Sequence, residues 1–191
     1  MRQYNNYAVD MIVLRFIISV VIIATIIFIT VIAFNTFGPM LEEHQVEQQC
    51  LMLESSLSTM IGSGVSRDID EVDAADGTKR IQTFMLPDSL IYLSFGGDPD
   101  EMNTGELSSG LTEDGSVIFY KVDGGRKQSI WLPKPSYKFR EGVFIGNRWV
   151  INGTGQSFLI CSSGKTTLVF ECVRQDRCSY ILVRPLVEGE S

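Results

Sequence analysis

Histidine is nearly absent: His44 is the single one in 191 residues. One imidazole cannot serve both a Ser-His-Asp triad and a metal site, and it lies just after a long apolar run. It reads as a solvated surface residue. Zinc is disfavoured further, because the four cysteines include no C-x₂-C pair. Clustered base is missing too. No run of Lys or Arg exceeds two residues (Lys79-Arg80, Arg126-Lys127), and the chain carries a net charge of −7. Residues 1–41 hold only Arg2, Arg15 and Asp10, a net of +1, so the remainder carries −8. An acidic domain without a basic stripe argues against nucleic acid. Hydrolase and nucleotide motifs are absent or fragmentary. The S-M-x-P motif of Ser-Lys signal peptidases does not occur, and "SGKT" at Ser163–Thr166 lacks the preceding G-x-x-x-x-G. The expectation is a protein that is not an enzyme and needs no cofactor or metal, with a membrane-anchored hydrolase as the third-ranked alternative.

What is present begins with charge-free length. Phe16 to Phe34 is 19 uncharged residues dominated by Ile, Val and Phe. A helix of that length spans roughly 28 Å, close to the hydrocarbon thickness of a bilayer. Secretory signal cores are shorter, about 7–15 residues, and end at an A-x-A-like site. "VIAFNTF" has no such site, so the segment is expected to be retained. Arg2, Arg15 and the amino terminus precede the span, and Glu42, Glu43 and Glu47 follow it. Positive-inside bias places the amino terminus in the cytoplasm and the large domain outside. Asp10 and Arg15 are the boundary charges. Arg15 either snorkels to the headgroups or pairs with Asp10, and the spacing of five favours an Asp10 on a neighbouring chain.

The apolar run does not stop cleanly. Gly38-Pro39 predicts a kink or short break. Beyond it Val46, Cys50, Leu53, Leu57 and Met60 fall at spacings of 4, 3, 4 and 3, one apolar stripe on a polar helix that Gly62 and Gly64 end. The stripe is expected to pack on a sheet of its own chain, with a seam between subunits as the alternative. Residues 65–80 read as an acidic connector. Strand patterns follow: "RIQTFML", "SLIYLSF", "SVIFYKV", "QSIWL", "RWVI", "SFLIC", "TTLVFECV" and "CSYILV". "DGG" at Asp123–Gly125 and "SSGK" at Ser162–Lys165 read as hairpin turns, and Asn152-Gly153 as another tight turn. The expected fold class is α+β: a long membrane-spanning amino-terminal helix whose amphipathic extension packs on an antiparallel β-sheet domain. Its divisions are 1–9 leader, 10–37 span, 38–64 helical extension, 65–80 connector and 81–191 β-rich domain.

Three local features invite chemistry. The loop Gly96–Gly115 holds six acids and no base, but Met102 and Asn103 break the calcium-loop pattern that Asp98 and Asp100 begin. It reads as a solvated loop. Cys172 and Cys178 flank "VRQDR". A five-residue hairpin loop sets them opposite each other, close to disulfide geometry and in an oxidising compartment; two reduced thiols are the alternative. Cys50 and Cys161 read as buried thiols, with a helix-to-sheet bridge as the alternative. Asn152-Gly153-Thr154 is an N-x-T glycosylation acceptor in an expected surface turn.

A short leader, an apolar helix, its amphipathic extension and one acidic β-domain together resemble archaeal type IV pilin-like proteins with class III signal sequences. The resemblance covers residues 8–62 by pattern, with Arg2 and Ala8 in the leader. It implies leader removal before Val9, a helix retained in the membrane, and later bundling with copies of itself or other pilin-like subunits. The functional expectation is a single-pass cell-surface protein in contact with membrane lipid. It is either a pilin-like filament subunit or, as the alternative, an uncut anchor displaying a binding or structural β-domain.

Overall fold

The structure is a computed structural model that describes residues 4–71, 73–112, 115–134 and 136–187. The described residues form one helix, α1 (Tyr4–Ser63), and ten strands: β1 (Arg67–Asp68), β2 (Lys79–Leu86), β3 (Leu90–Phe95), β4 (Val117–Val122), β5 (Gln128–Trp131), β6 (Tyr137–Ile145), β7 (Arg148–Ile151), β8 (Phe158–Ile160), β9 (Gly164–Gln175) and β10 (Cys178–Pro185). The chain divides into two compact units, Met1–Met40 and Leu41–Ser191. The class is α+β.

Pro39 lies inside α1, which runs on without a break. Of the kink or short break expected at Gly38-Pro39, the break does not form. α1 ends at Ser63, and the Gly64 N–H closes on the Met60 carbonyl at 2.7 Å. From Val13 to Phe34 every described large apolar side chain is exposed.

In the second unit, a six-stranded sheet has the order β1-β9-β10-β6-β7, with β2 also paired to β9, and a four-stranded sheet has the order β5-β4-β3-β8. The expectation of an antiparallel domain is corrected here. β1 runs parallel to β9, and β10 parallel to β6, so the larger sheet is mixed. Local turn signals report hairpins; they are blind to parallel pairs, whose partners lie far apart in sequence. "SSGK" is not a hairpin turn either. It carries the chain from β8 in the small sheet to β9 in the large one. "DGG" does join the antiparallel pair β4 and β5. The connector is partly structured, since it forms β1 and buries Arg67 and Ile69.

Both sheets turn one face to a common core. The large sheet supplies Phe84, Phe139, Leu168, Phe170, Ile181 and Val183, and the small sheet supplies Leu93, Phe95, Ile118 and Tyr120. Phe95 is the hub, with ring centroids 5.4 Å from Phe170, 5.6 Å from Phe139 and 6.1 Å from Phe84, all edge-to-face. The α1 stripe enters the same core, with Val46, Cys50, Leu53 and Leu57 0% exposed and Met60 1%. Gln49 fixes the helix to the sheet edge. Its amide accepts from the Met85 N–H at 2.6 Å and donates to the Met85 carbonyl at 3.1 Å, so a side chain stands in for a missing strand.

Candidate functional site

The first candidate surface is the apolar segment of α1. In the most apolar 18-residue window nothing is buried, and α1 is long and apolar enough to cross a membrane. Its hydroxyls carry a second signal. Ser19, Thr25 and Thr30 each donate to the carbonyl four residues back, on Arg15, Val21 and Ile26, at 2.8–2.9 Å. Each is satisfied within its own helix, which suits surroundings that offer no partner. Arg15 is exposed; the side chains of Ala8, Val9 and Asp10 lie outside the described residues.

The second candidate is a buried charge cluster on the outer face of the large sheet. Arg67 in β1 holds Glu171 in β9 in a two-point ion pair, Nε to Oε1 at 2.7 Å and Nη2 to Oε2 at 3.2 Å. Their side chains are 8% and 2% exposed. The Gly77 N–H also donates to Glu171, and Arg67 donates to the Trp149 carbonyl at 2.9 Å. Arg184, fully buried, lies with its guanidinium carbon 4.6 Å from the Trp149 ring centroid. A Cβ on Gly77 would come within 2.0 Å of the Cys172 carbonyl. This cluster fastens the connector to the sheet. Beside it opens a cleft of about 230 Å³, lined also by Glu71, Asp76, Lys79 and Arg148.

The acidic loop is a third. Asp98 and Asp100 are not a cation site, because lysines already fill that role. Lys127 donates to Asp98 at 2.6 Å and to the Asp100 carbonyl at 2.9 Å, and the Lys121 ammonium is 3.8 Å from Asp100. Tyr92 lies opposite Lys121 in the β3–β4 register. Its buried hydroxyl has no hydrogen-bond partner among the described residues. Burial, then the charges of Asp98 and Asp100, raise its pKa. Among the described residues, no group of three or more His, Cys, Asp or Glu is placed to hold a metal ion.

The cysteines need a correction. β9 and β10 are joined by a two-residue turn, Asp176-Arg177, and the register sets Cys178 opposite Gln175 and Cys172 opposite Ile181. The two thiols are therefore three positions out of step, roughly 10 Å along the strand, beyond disulfide reach. They also lie on opposite faces: Cys172 is in the core and Cys178 is exposed. All four cysteines are free thiols, with Cys50 buried and Cys161 exposed. Burial, then the charge of Glu47, pushes the Cys50 thiol up to about 12, and burial, then Glu171, pushes Cys172 up to about 11.

His44 is exposed, with Nδ1 3.1 Å from Glu47. Asn152 opens a turn in which the Gly155 N–H meets its carbonyl. Its side-chain amide is fully engaged, donating to Glu141 at 2.6 Å and accepting from the Thr154 hydroxyl at 2.9 Å. One cluster escaped the sequence reading altogether. Lys138 and Arg140 of β6 meet Arg177 and Tyr180 around a cleft of about 330 Å³. No family model matches the chain, and neither a curated protein nor a solved structure matches it.

Proposed function

We propose that this chain is a non-enzymatic, single-pass membrane protein. Residues 10–37 form the anchor, the amino terminus is cytoplasmic, and the β-rich domain is displayed outside the cell. The observation that carries this reading is the contrast between an 18-residue apolar window with nothing buried and a domain whose helical stripe is almost wholly buried. At about 25 cal/mol per Å² of apolar area, leaving such a segment in water is strongly unfavourable, so it requires lipid or protein around it. The self-satisfied hydroxyls of Ser19, Thr25 and Thr30 favour lipid. Alkaline carbonate extraction tests the anchor. The full chain is expected to stay with the membranes, and its release into the supernatant would reject the reading.

A second reading, a pilin-like subunit, draws support from one observation. A single helix, Tyr4–Ser63, carries the uncovered apolar segment and the stripe buried in the domain. Such a subunit would lose its leader and bundle its apolar segment with other copies. Intact mass separates the readings: loss of the residues before Val9 supports the pilin-like subunit, and an uncut chain supports the plain anchor.

A further inference from the structure

We propose that the cleft lined by Lys138, Arg140, Arg177 and Tyr180 binds a phosphate or sulfate group. Parallel pairing of β10 with β6 sets Tyr180 opposite Lys138 and Leu182 opposite Arg140, which places the two β6 cations on the face that carries Tyr180. The turn after β9 brings Arg177 to the same cleft, and Ser136, Cys178 and Ser179 complete its lining. Lys138, Arg140 and Arg177 thus line one cleft; Lys138 is engaged with a partner of its own, and Asp176 is an acid of the adjoining turn.

The cations are held, not splayed into solvent. Arg140 is half-buried; it donates to the Phe139 carbonyl at 2.7 Å and stacks 5.1 Å from the Tyr180 ring centroid. Neither Arg140 nor Arg177 forms an ion pair with a described residue. Guanidinium N–H forks match tetrahedral oxyanions, and hydroxyls beside them add donors for further oxygens.

The turn gives independent support. Asp176 and Arg177 both have positive φ, 49° and 65°, where L-residues with a Cβ are disfavoured. The equivalent turn between β6 and β7 uses Gly146 and Asn147 at 58° and 66°, the residues such a turn prefers. An arginine therefore stands at 177 against backbone preference, and its charge is what a glycine would lack.

Cys178, exposed on the cleft wall, reports occupancy. Full-length protein in neutral detergent is alkylated with iodoacetate or iodoacetamide at constant ionic strength. The rate ratio cancels the thiolate fraction and leaves the attraction for the anionic reagent, with exposed Cys161 as internal reference. Inorganic phosphate is expected to suppress iodoacetate at Cys178 several-fold and to leave Cys161 unchanged. Arg177→Gly, which suits the turn and so preserves the fold, should weaken that protection about fivefold, the loss of one charge-assisted contact. Nanodiscs separate the source of the oxyanion. Protection by phosphatidylglycerol discs without added phosphate assigns a headgroup, whereas protection only by added phosphate, in phosphatidylcholine and phosphatidylglycerol discs alike, assigns a soluble ligand. Equal protection of both cysteines, protection of neither, or full protection in Arg177→Gly overturns the proposal.

Discussion

Glu171→Gln is the substitution with the most to say about how the domain holds its connector. In the native chain the Glu171 carboxylate is 2% exposed and takes both a two-point contact from Arg67 and the Gly77 N–H. An amide keeps the shape and can still accept from Arg67 Nε and from Gly77. The charge is lost, and an Arg67 side chain only 8% exposed is left without its counter-ion. Breaking a buried pair from one side costs about 3–5 kcal/mol. Gln belongs near 3, because it retains hydrogen bonds, and Glu171→Met near 5, because it orphans Gly77 as well. The assay is urea unfolding of the full chain in neutral detergent, followed by tryptophan fluorescence, since the Trp149 carbonyl and ring both belong to the cluster. With an m-value of about 1.5 kcal/mol per molar urea, 3 kcal/mol moves the midpoint by about 2 M. Arg67→Met/Glu171→Leu should recover at least half of the loss of Glu171→Met, because it leaves no buried charge unpaired. A single-variant loss below about 0.5 kcal/mol, the range of exposed sites, refutes the reasoning.

Three other outcomes follow from the same packing. Leu53→Ala should destabilise the domain by about 2–5 kcal/mol, as for any fully buried leucine; a loss below about 0.5 kcal/mol by the same urea assay would return the stripe to a seam between subunits. Tyr92→Phe should stabilise by about 1–3 kcal/mol, because it removes a buried hydroxyl that has no partner, and destabilisation would mean the hydroxyl is satisfied. At pH 8.5 iodoacetamide should label Cys161 and Cys178 at once. Cys50 and Cys172, with thiols raised to about 12 and about 11 and buried in the core, should react only on unfolding. Their pKa values are raised in the fold, so the protonated form persists until pH climbs well past the ordinary thiol range. Rapid labelling of either in the folded chain contradicts the core assignment.

How far the sequence could be read depended on whether each signal was local. In β3, β9 and β10 consecutive residues are buried, so both faces are covered, and strands β2 to β5 and β7 to β10 show as short β-branched and aromatic runs. β6 does not, since "YKFREGVFI" interrupts its apolar positions with Lys138, Arg140, Glu141 and Gly142. Three of those residues lie on the outer face of the sheet, and two of them line the basic cleft. The cleft itself was illegible for the same reason: a parallel pair brings Lys138 beside Tyr180 from about forty residues away. The cysteine register failed on turn chemistry. Asp176-Arg177 carries no glycine or asparagine, so the two-residue turn gave no sign of itself and a five-residue loop was the natural reading. The buried Arg67–Glu171 pair was hidden because Arg67 sits in an acidic stretch that looks solvated.

The account's central claim is an anchored chain with its domain outside the cell, and Cys161 and Cys178 test it directly. Both thiols are exposed on the β-rich domain. Intact cells are treated with a membrane-impermeant maleimide, quenched, lysed and separated by carbonate extraction. The account predicts labelled protein in the membrane pellet before lysis. Labelling that appears only after lysis, or labelled chain in the carbonate supernatant, would contradict it.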